Sequence, residues 1–128
     1  MDGLIVNQPY ANLIVQGKKQ WELRSRHPPS NKLNSEIYLL SRGKILGIIN
    51  IRQSHGPLSL DELEECLHLH RSELGGLDKS FTSFAWEIEL CDAFTEPKKY
   101  VHPNGARVWV KDVLPAEVYE KNMLTHYT

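Results

Sequence analysis

Short segments rich in Ile, Leu, Tyr and Trp that alternate like strands, and amphipathic segments inserted between them, predict an α+β domain. The expected form is a small β-barrel of about five to six strands flanked by two to three helices. A third observation sets the domain count. The 128 residues contain no linker and no internal repeat, so residues 1–128 are expected to form a single domain with a C-terminal helix from about residue 115. At this length a chain buries roughly two thirds of its unfolded surface around one core, and 41% hydrophobic with 24% charged residues is ordinary for a globular protein.

The first element is a short helix that begins at Gln8-Pro9-Tyr10. Pro9 suits the first turn, where its missing N–H would have no partner anyway, and Gly17 suits the left-handed residue that closes a helix. From Gln20 the residues alternate, with Trp21 and Leu23 apolar and Gln20, Glu22 and Arg24 polar, which predicts a half-buried strand. Strand parity sends Trp21 to the core and leaves Glu22 and Arg24 together on the polar face. On an exposed face such a pair contributes only about 0 to 1 kcal/mol. Beside a lysine at a glycine turn, it also makes a compact polar group suited to a small ligand.

Two further strands, Glu36 to Leu40 and Lys44 to Ser54, flank Ser41-Arg42-Gly43 and read as a hairpin with Arg42 at its tip. Ser59 and Glu62 form a capping box, and Leu60, Leu63, Leu67 and Leu74 continue at helical spacing, which predicts a helix over Leu60 to Glu73. Phe84 to Leu90 and Arg107 to Val110 read as strands. Pro115 opens the final helix, with Val118, Tyr119 and Leu124 along one side.

Residues 1 to 56 carry eight basic against three acidic side chains, while the net charge of the whole chain is −1. This asymmetry predicts a basic patch near Lys18 to Arg26 that attracts phosphate locally, without the strong overall field of a general nucleic-acid coat. No apolar stretch is long enough to span a bilayer, and Asp2-Gly3-Leu4 is not a secretory leader, so a cytoplasmic location is expected. Cys66 and Cys91 lie far apart and outside any Cys-x-x-Cys spacing, and are expected to be buried thiols. His68 and His70 are two apart on the predicted helix and so point to different faces. No metal site or cofactor is expected.

The spacing Gly17-x-Lys19-x-x-Glu22-x-Arg24, preceded by Gln8-Pro9-Tyr10-Ala11, resembles the signature of the ASCH domain, the activating signal cointegrator homology domain of the PUA-like superfamily. A second block supports the resemblance. Phe84-Ala85-Trp86-Glu87-Ile88, followed by Phe94, Pro97, Tyr100 and Asn104 to Trp109, is similar to the closing strands of cointegrator-type members, and the likeness spans residues 3 to 112. It implies a PUA-like barrel with a cleft between its mouth and the helices, lined by Gln8, Lys19, Glu22 and Arg24, that binds RNA or a modified nucleoside or nucleotide. In that cleft Lys19 would hold a phosphate or carbonyl oxygen and Glu22 a base amine. Arg24 would bind phosphate or hold Glu22 in place. Arg42 is a further candidate for phosphate, and Trp86 for base stacking, an interaction of about 1 to 3 kcal/mol.

The resemblance also implies alternatives. Some small bacterial members are amidohydrolases that remove the acetyl group from acetylated cytidine, using a lysine at the position of Lys19, a threonine in the same strand and a separate glutamate. Lys18 beside Lys19 would lower its pKa. Glu22 stands where that threonine would be, and the sequence does not single out the glutamate, since Glu62, Glu64, Glu65 and Glu73 all lie on or beside the middle helix. If the chain is an enzyme, Lys19 and Glu22 are its catalytic candidates. A ribonuclease would use His55 or Lys19 as acid or base, and a cointegrator-like module would bind a protein partner instead.

Overall fold

The computed structural model describes residues 1–118 and Glu120. In chain order the elements are β1 (Gly3–Ile5), α1 (Tyr10–Val15), β2 (Trp21–Arg24), a 3-10 turn (Ser30–Lys32), β3 (Glu36–Ser41), β4 (Lys44–Ser59), α2 (Leu60–Glu65), α3 (Leu67–His70), β5 (Thr82–Lys99) and β6 (Trp109–Val110). The six strands make one mixed sheet in the order β2-β5-β4-β3-β1-β6, in which only the β1–β3 pair is parallel. The expected closed barrel is not formed, because the edge strands β2 and β6 share no backbone pairing. They are four and two residues long and pair only with β5 and β1, respectively.

Side chains span the gap instead. Arg24 of β2 donates through Nη2 to the Ile5 carbonyl of β1 at 2.8 Å, and Trp86 of β5 stacks on Trp109 of β6 with centroids 5.9 Å apart. The sheet therefore curls until its two ends face each other across a seam. Register shifts along the β4–β5 pair, including those between Ile45 and Gly47 and between His55 and Leu58, supply the bend. Leu4, Val6, Ile14, Leu39, Ile49 and Ile51 fill the core inside the curl, and Leu40, Ile45, Tyr100, Val110 and Val113 form a smaller cluster.

Several expectations hold in detail. Helix α1 closes at Gly17 with φ +74°, and the hairpin turns through Arg42 at φ 50° and Gly43 at φ 76°, with Ser41 opposite Lys44. Both bonds of the Ser59–Glu62 capping box are present. The helix expected through Glu73 instead breaks at Cys66 and ends at His70, where Arg71 adopts a left-handed φ of 59°. At this stop the His70 ring accepts the Ser72 amide through Nδ1, which gives an amide beyond the helix end a partner. Strand β1, too short for any alternation to show, is an addition.

Cys66 is half-buried and Cys91 exposed, which corrects the expectation of buried thiols. Cys91 lies on the outward side of β5, beside Glu89. At the C-terminal end Pro115 bridges to Tyr100, residues 116–118 are helical and Val118 is exposed. Tyr119 and Leu124 lie outside the described residues. No helix among the described residues is long and apolar enough to cross a membrane.

Candidate functional site

The alternation in β2 is real but faces the other way. Glu22 is 7% exposed, whereas Trp21 and Leu23 are half-buried. The register decides this. Glu22 sits opposite Trp86 and Arg24 opposite Phe84, and directly paired residues share a face, so the two charged side chains join the aromatic ones on the concave side. Trp21, expected in the core, packs on the outer side against His55 with ring centroids 4.7 Å apart.

An ion string runs along that concave face. Arg24 donates to Glu22 Oε2 through Nε at 3.0 Å and Nη2 at 2.8 Å, while Lys19 Nζ lies 3.5 Å from Glu22 Oε1. Lys19 follows the Gly17 turn, where the amides of residues 18 and 19 both donate to the Leu13 carbonyl. That turn drives its side chain inward, to 2% residue exposure. Its ammonium also donates to the His70 carbonyl and stands 5.0 Å from the centre of the Tyr10 ring. Burial pushes the Lys19 pKa down, and the Glu22 carboxylate opposes that shift. A buried charge is tolerable only when paired and hydrogen-bonded, and Glu22 serves two cations at once.

The outer side of the string opens into a cleft of about 260 Å³ at the seam, lined among others by Ile5, Asn7, Tyr10, Glu22, Arg24 and Arg107. Arg24 is also a wall of a larger recess, about 690 Å³, formed with Arg26, His27, Pro29, Trp86, Val108 and Trp109. Arg24 Cζ lies 5.6 Å from the Trp86 ring centre. Glu22 and Arg24 thus face the cleft together, and Lys19 lies behind them with none of its side chain exposed.

The other candidate residues are distributed differently. Gln8 closes on Asn12, donating to Oδ1 at 3.0 Å and accepting the Asn12 amide at 3.0 Å, and it lies with Arg42 in a separate groove of about 620 Å³. Trp86 is 2% exposed, stacked on Trp109 and donating Nε1–H to the Arg26 carbonyl at 2.9 Å, at the floor of the recess it lines with Arg24 and Trp109. His55 lies under Trp21, with Nε2 3.7 Å from Glu87 Oε2.

Arg107 and Asn7 were not anticipated. A charge count by sequence halves assigns Arg107 to the acidic half, yet the chain brings it to the cleft beside Arg24. The one available signal is its position just after the Asn104-Gly105 turn, inside the second family-like block.

A curled mixed sheet with a polar cleft at its seam makes this chain a small α+β domain with one inward-facing ion string. Residues 4–98 match the ASCH domain model. That span is most of the chain, and the chain belongs to the ASCH domain family. The crystal structure of a mutant of ZmASCH from Zymomonas mobilis is similar in fold, with a TM-score of 0.59 at 15% sequence identity over 97% of this chain and 94% of that one. No curated protein matches the chain in sequence.

Proposed function

We propose that this ASCH domain binds RNA, or a modified nucleoside or nucleotide, through the seam cleft. The observation that carries the reading is the unequal use of the Glu22 carboxylate. Oε2 holds both Arg24 bonds, while Oε1 has only Lys19 at 3.5 Å, the long limit of a hydrogen bond. Glu22 lines the cleft, and a carboxylate with one oxygen outside any close hydrogen bond suits the exocyclic amine of a base. Arg107, exposed on the rim, is placed to take a phosphate oxygen, and a volume of about 260 Å³ fits one base and not a large ligand.

Recognition is favoured over turnover because the Lys19 ammonium is enclosed by Glu22, His70 and Tyr10 with no exposed surface. An amidohydrolase would need that group at its substrate. The test is a titration of nucleosides, acetylated cytidine and short single-stranded RNAs at low salt, with turnover followed by chromatography, on wild type, Glu22→Gln and Arg107→Gln. Binding without turnover that both variants weaken at least tenfold supports the reading. Consumption of acetylated cytidine overturns it in favour of the hydrolase, and binding insensitive to salt points to a protein partner, since phosphate contacts weaken steeply as salt rises.

A further inference from the structure

Lys44 and Lys99 are directly opposite each other on β4 and β5, both exposed, at the end of the sheet that carries the hairpin tip. Like charges in that relation destabilise a strand pair. Arg42, also exposed, sits two residues from Lys44 in the turn, and the Gly43 carbonyl accepts the amide of Tyr100, which ties the tip to the residue after Lys99. None of these three cations forms an ion pair among the described residues, although five such pairs occur elsewhere.

Lys44 and Arg42 line the groove of about 620 Å³ that also holds Gln8, Asn12, Ser41 and Pro97, and no acidic side chain lines it. This groove and the seam cleft lie on the two sides of one short segment. Asn7 and Tyr10 face the cleft, whereas Gln8, Pro9 and Asn12 face the groove. Cations without acids, beside a groove in which the amides of Gln8 and Asn12 and the Ser41 hydroxyl alternate with Pro9, Leu46 and Pro97, match the phosphodiesters of a strand. A lone nucleoside in the cleft would leave them unused.

We propose that the groove lined by Arg42 and Lys44, with Lys99 on the strand position opposite Lys44, binds backbone phosphates of a single-stranded RNA, so that the ligand of this domain is an oligonucleotide and not a free nucleoside. The proposal rests on the seam-cleft reading for where a base of that strand sits. An extended strand leaving the cleft passes over the start of α1 and reaches the hairpin tip. Each phosphate neutralised by a lysine releases counterions, so the groove adds both affinity and salt dependence.

The experiment is fluorescence anisotropy with a labelled mixed-sequence RNA octamer, and calorimetry with cytidine monophosphate, on wild type, the double variant K44Q/K99Q, Glu22→Gln and Arg107→Gln. Expected is an octamer bound at least tenfold more tightly than the mononucleotide by wild type. K44Q/K99Q should lose about tenfold for the octamer, with a salt slope shallower by about 1.4, or 0.7 for each of two phosphate contacts, and keep its affinity for the mononucleotide. Equal wild-type affinity for the two ligands, or unchanged octamer affinity and slope in K44Q/K99Q, overturns the proposal. Displacement of the octamer by poly-glutamate at equal charge overturns it in favour of an acidic protein segment. If Glu22→Gln and Arg107→Gln bind the mononucleotide like wild type while K44Q/K99Q loses the octamer, the seam-cleft reading fails and the groove stands.

Discussion

Lys19 Nζ lies 3.5 Å from Glu22 Oε1, and the lysine side chain has no exposed surface at all. One carboxylate thereby neutralises a fully enclosed ammonium on one side and the Arg24 guanidinium on the other. The charges are held by geometry more than by net attraction, since their desolvation offsets much of the Coulombic gain.

Removing the shared carboxylate should be the costliest change in the site. Glu22→Ala leaves two cations without their anion and is expected to lower unfolding free energy by about 3 to 5 kcal/mol. Lys19→Met, which removes the desolvated charge and leaves Glu22 paired with Arg24, is expected to cost less than half as much. Urea unfolding of the two variants checks the order.

His70 makes stability depend on pH on the acid side. It is buried, with Nε2 2.7 Å from the Leu63 carbonyl and Nδ1 accepting the Ser72 amide at 3.0 Å, a pattern that requires the neutral ring with its proton on Nε2. Burial, helped by the nearby Lys19 and His68 charges, holds its pKa below 6.5, against the pull of the Leu63 carbonyl. Below 6.5 the unfolded chain takes up a proton that the fold refuses, so stability falls as pH drops from 6.5 toward the folded-state value. The melting temperature of wild type should decline as the pH is lowered below 6.5, and that of His70→Gln should be flatter there. Asp2, whose carboxyl is held below 3.8 by Lys32 and the Asp112 amide, gives up its contribution in a separate window at lower pH.

Gly47 has a steric reason to be glycine. A Cβ there would stand 2.2 Å from the Asp92 carbonyl oxygen on the paired strand, in the bulged part of the β4–β5 ladder. Gly47→Ala is expected to destabilise by about 3 kcal/mol, and chemical unfolding measures it.

Lys99→Glu separates stability from binding. Opposite Lys44 it converts a repulsive cross-strand pair into an attractive one, which should raise stability by about 0.2 to 1 kcal/mol. The same change should weaken binding of an RNA octamer more than tenfold. A variant that is both more stable and weaker in binding identifies the lysine as a residue kept for a ligand.

Local rules made much of this fold legible. Gly17, the Arg42-Gly43 turn and the Ser59–Glu62 box each act within a few residues, so their chemistry can be read where it stands. The facing of β2 could not be read that way. Its alternation is visible, but which side is inward depends on pairing with β5, about 60 residues later, and on Trp86 lying opposite Glu22. The site was legible for the same reasons and to the same extent. Glu22 and Arg24 announce themselves as neighbours, whereas Arg107 reaches the cleft through the β6 edge, and Gln8 and Arg42 meet each other only because the hairpin tip comes to the start of α1.

The seam gives the domain a low-energy way to breathe. Parting it sacrifices the Arg24–Ile5 carbonyl bond, about 1.5 to 3 kcal/mol for a charged donor, and the Trp86–Trp109 stack, about 0.5 to 1.5 kcal/mol. Every strand ladder stays intact. Opening also exposes part of the core that Leu4 and Val6 share with Trp86 and Ile88, so the two edges separate only at that added cost, while the β3, β4 and β5 ladders remain paired. In native-state hydrogen exchange the amides of the two-residue edge strand, Trp109 and Val110, should exchange at a lower free energy than those of Ile49 and Ile51 in the sheet centre. A strand of nucleic acid lying across the seam would then act as a staple, and its arrival would be read as slowed exchange at the two edges.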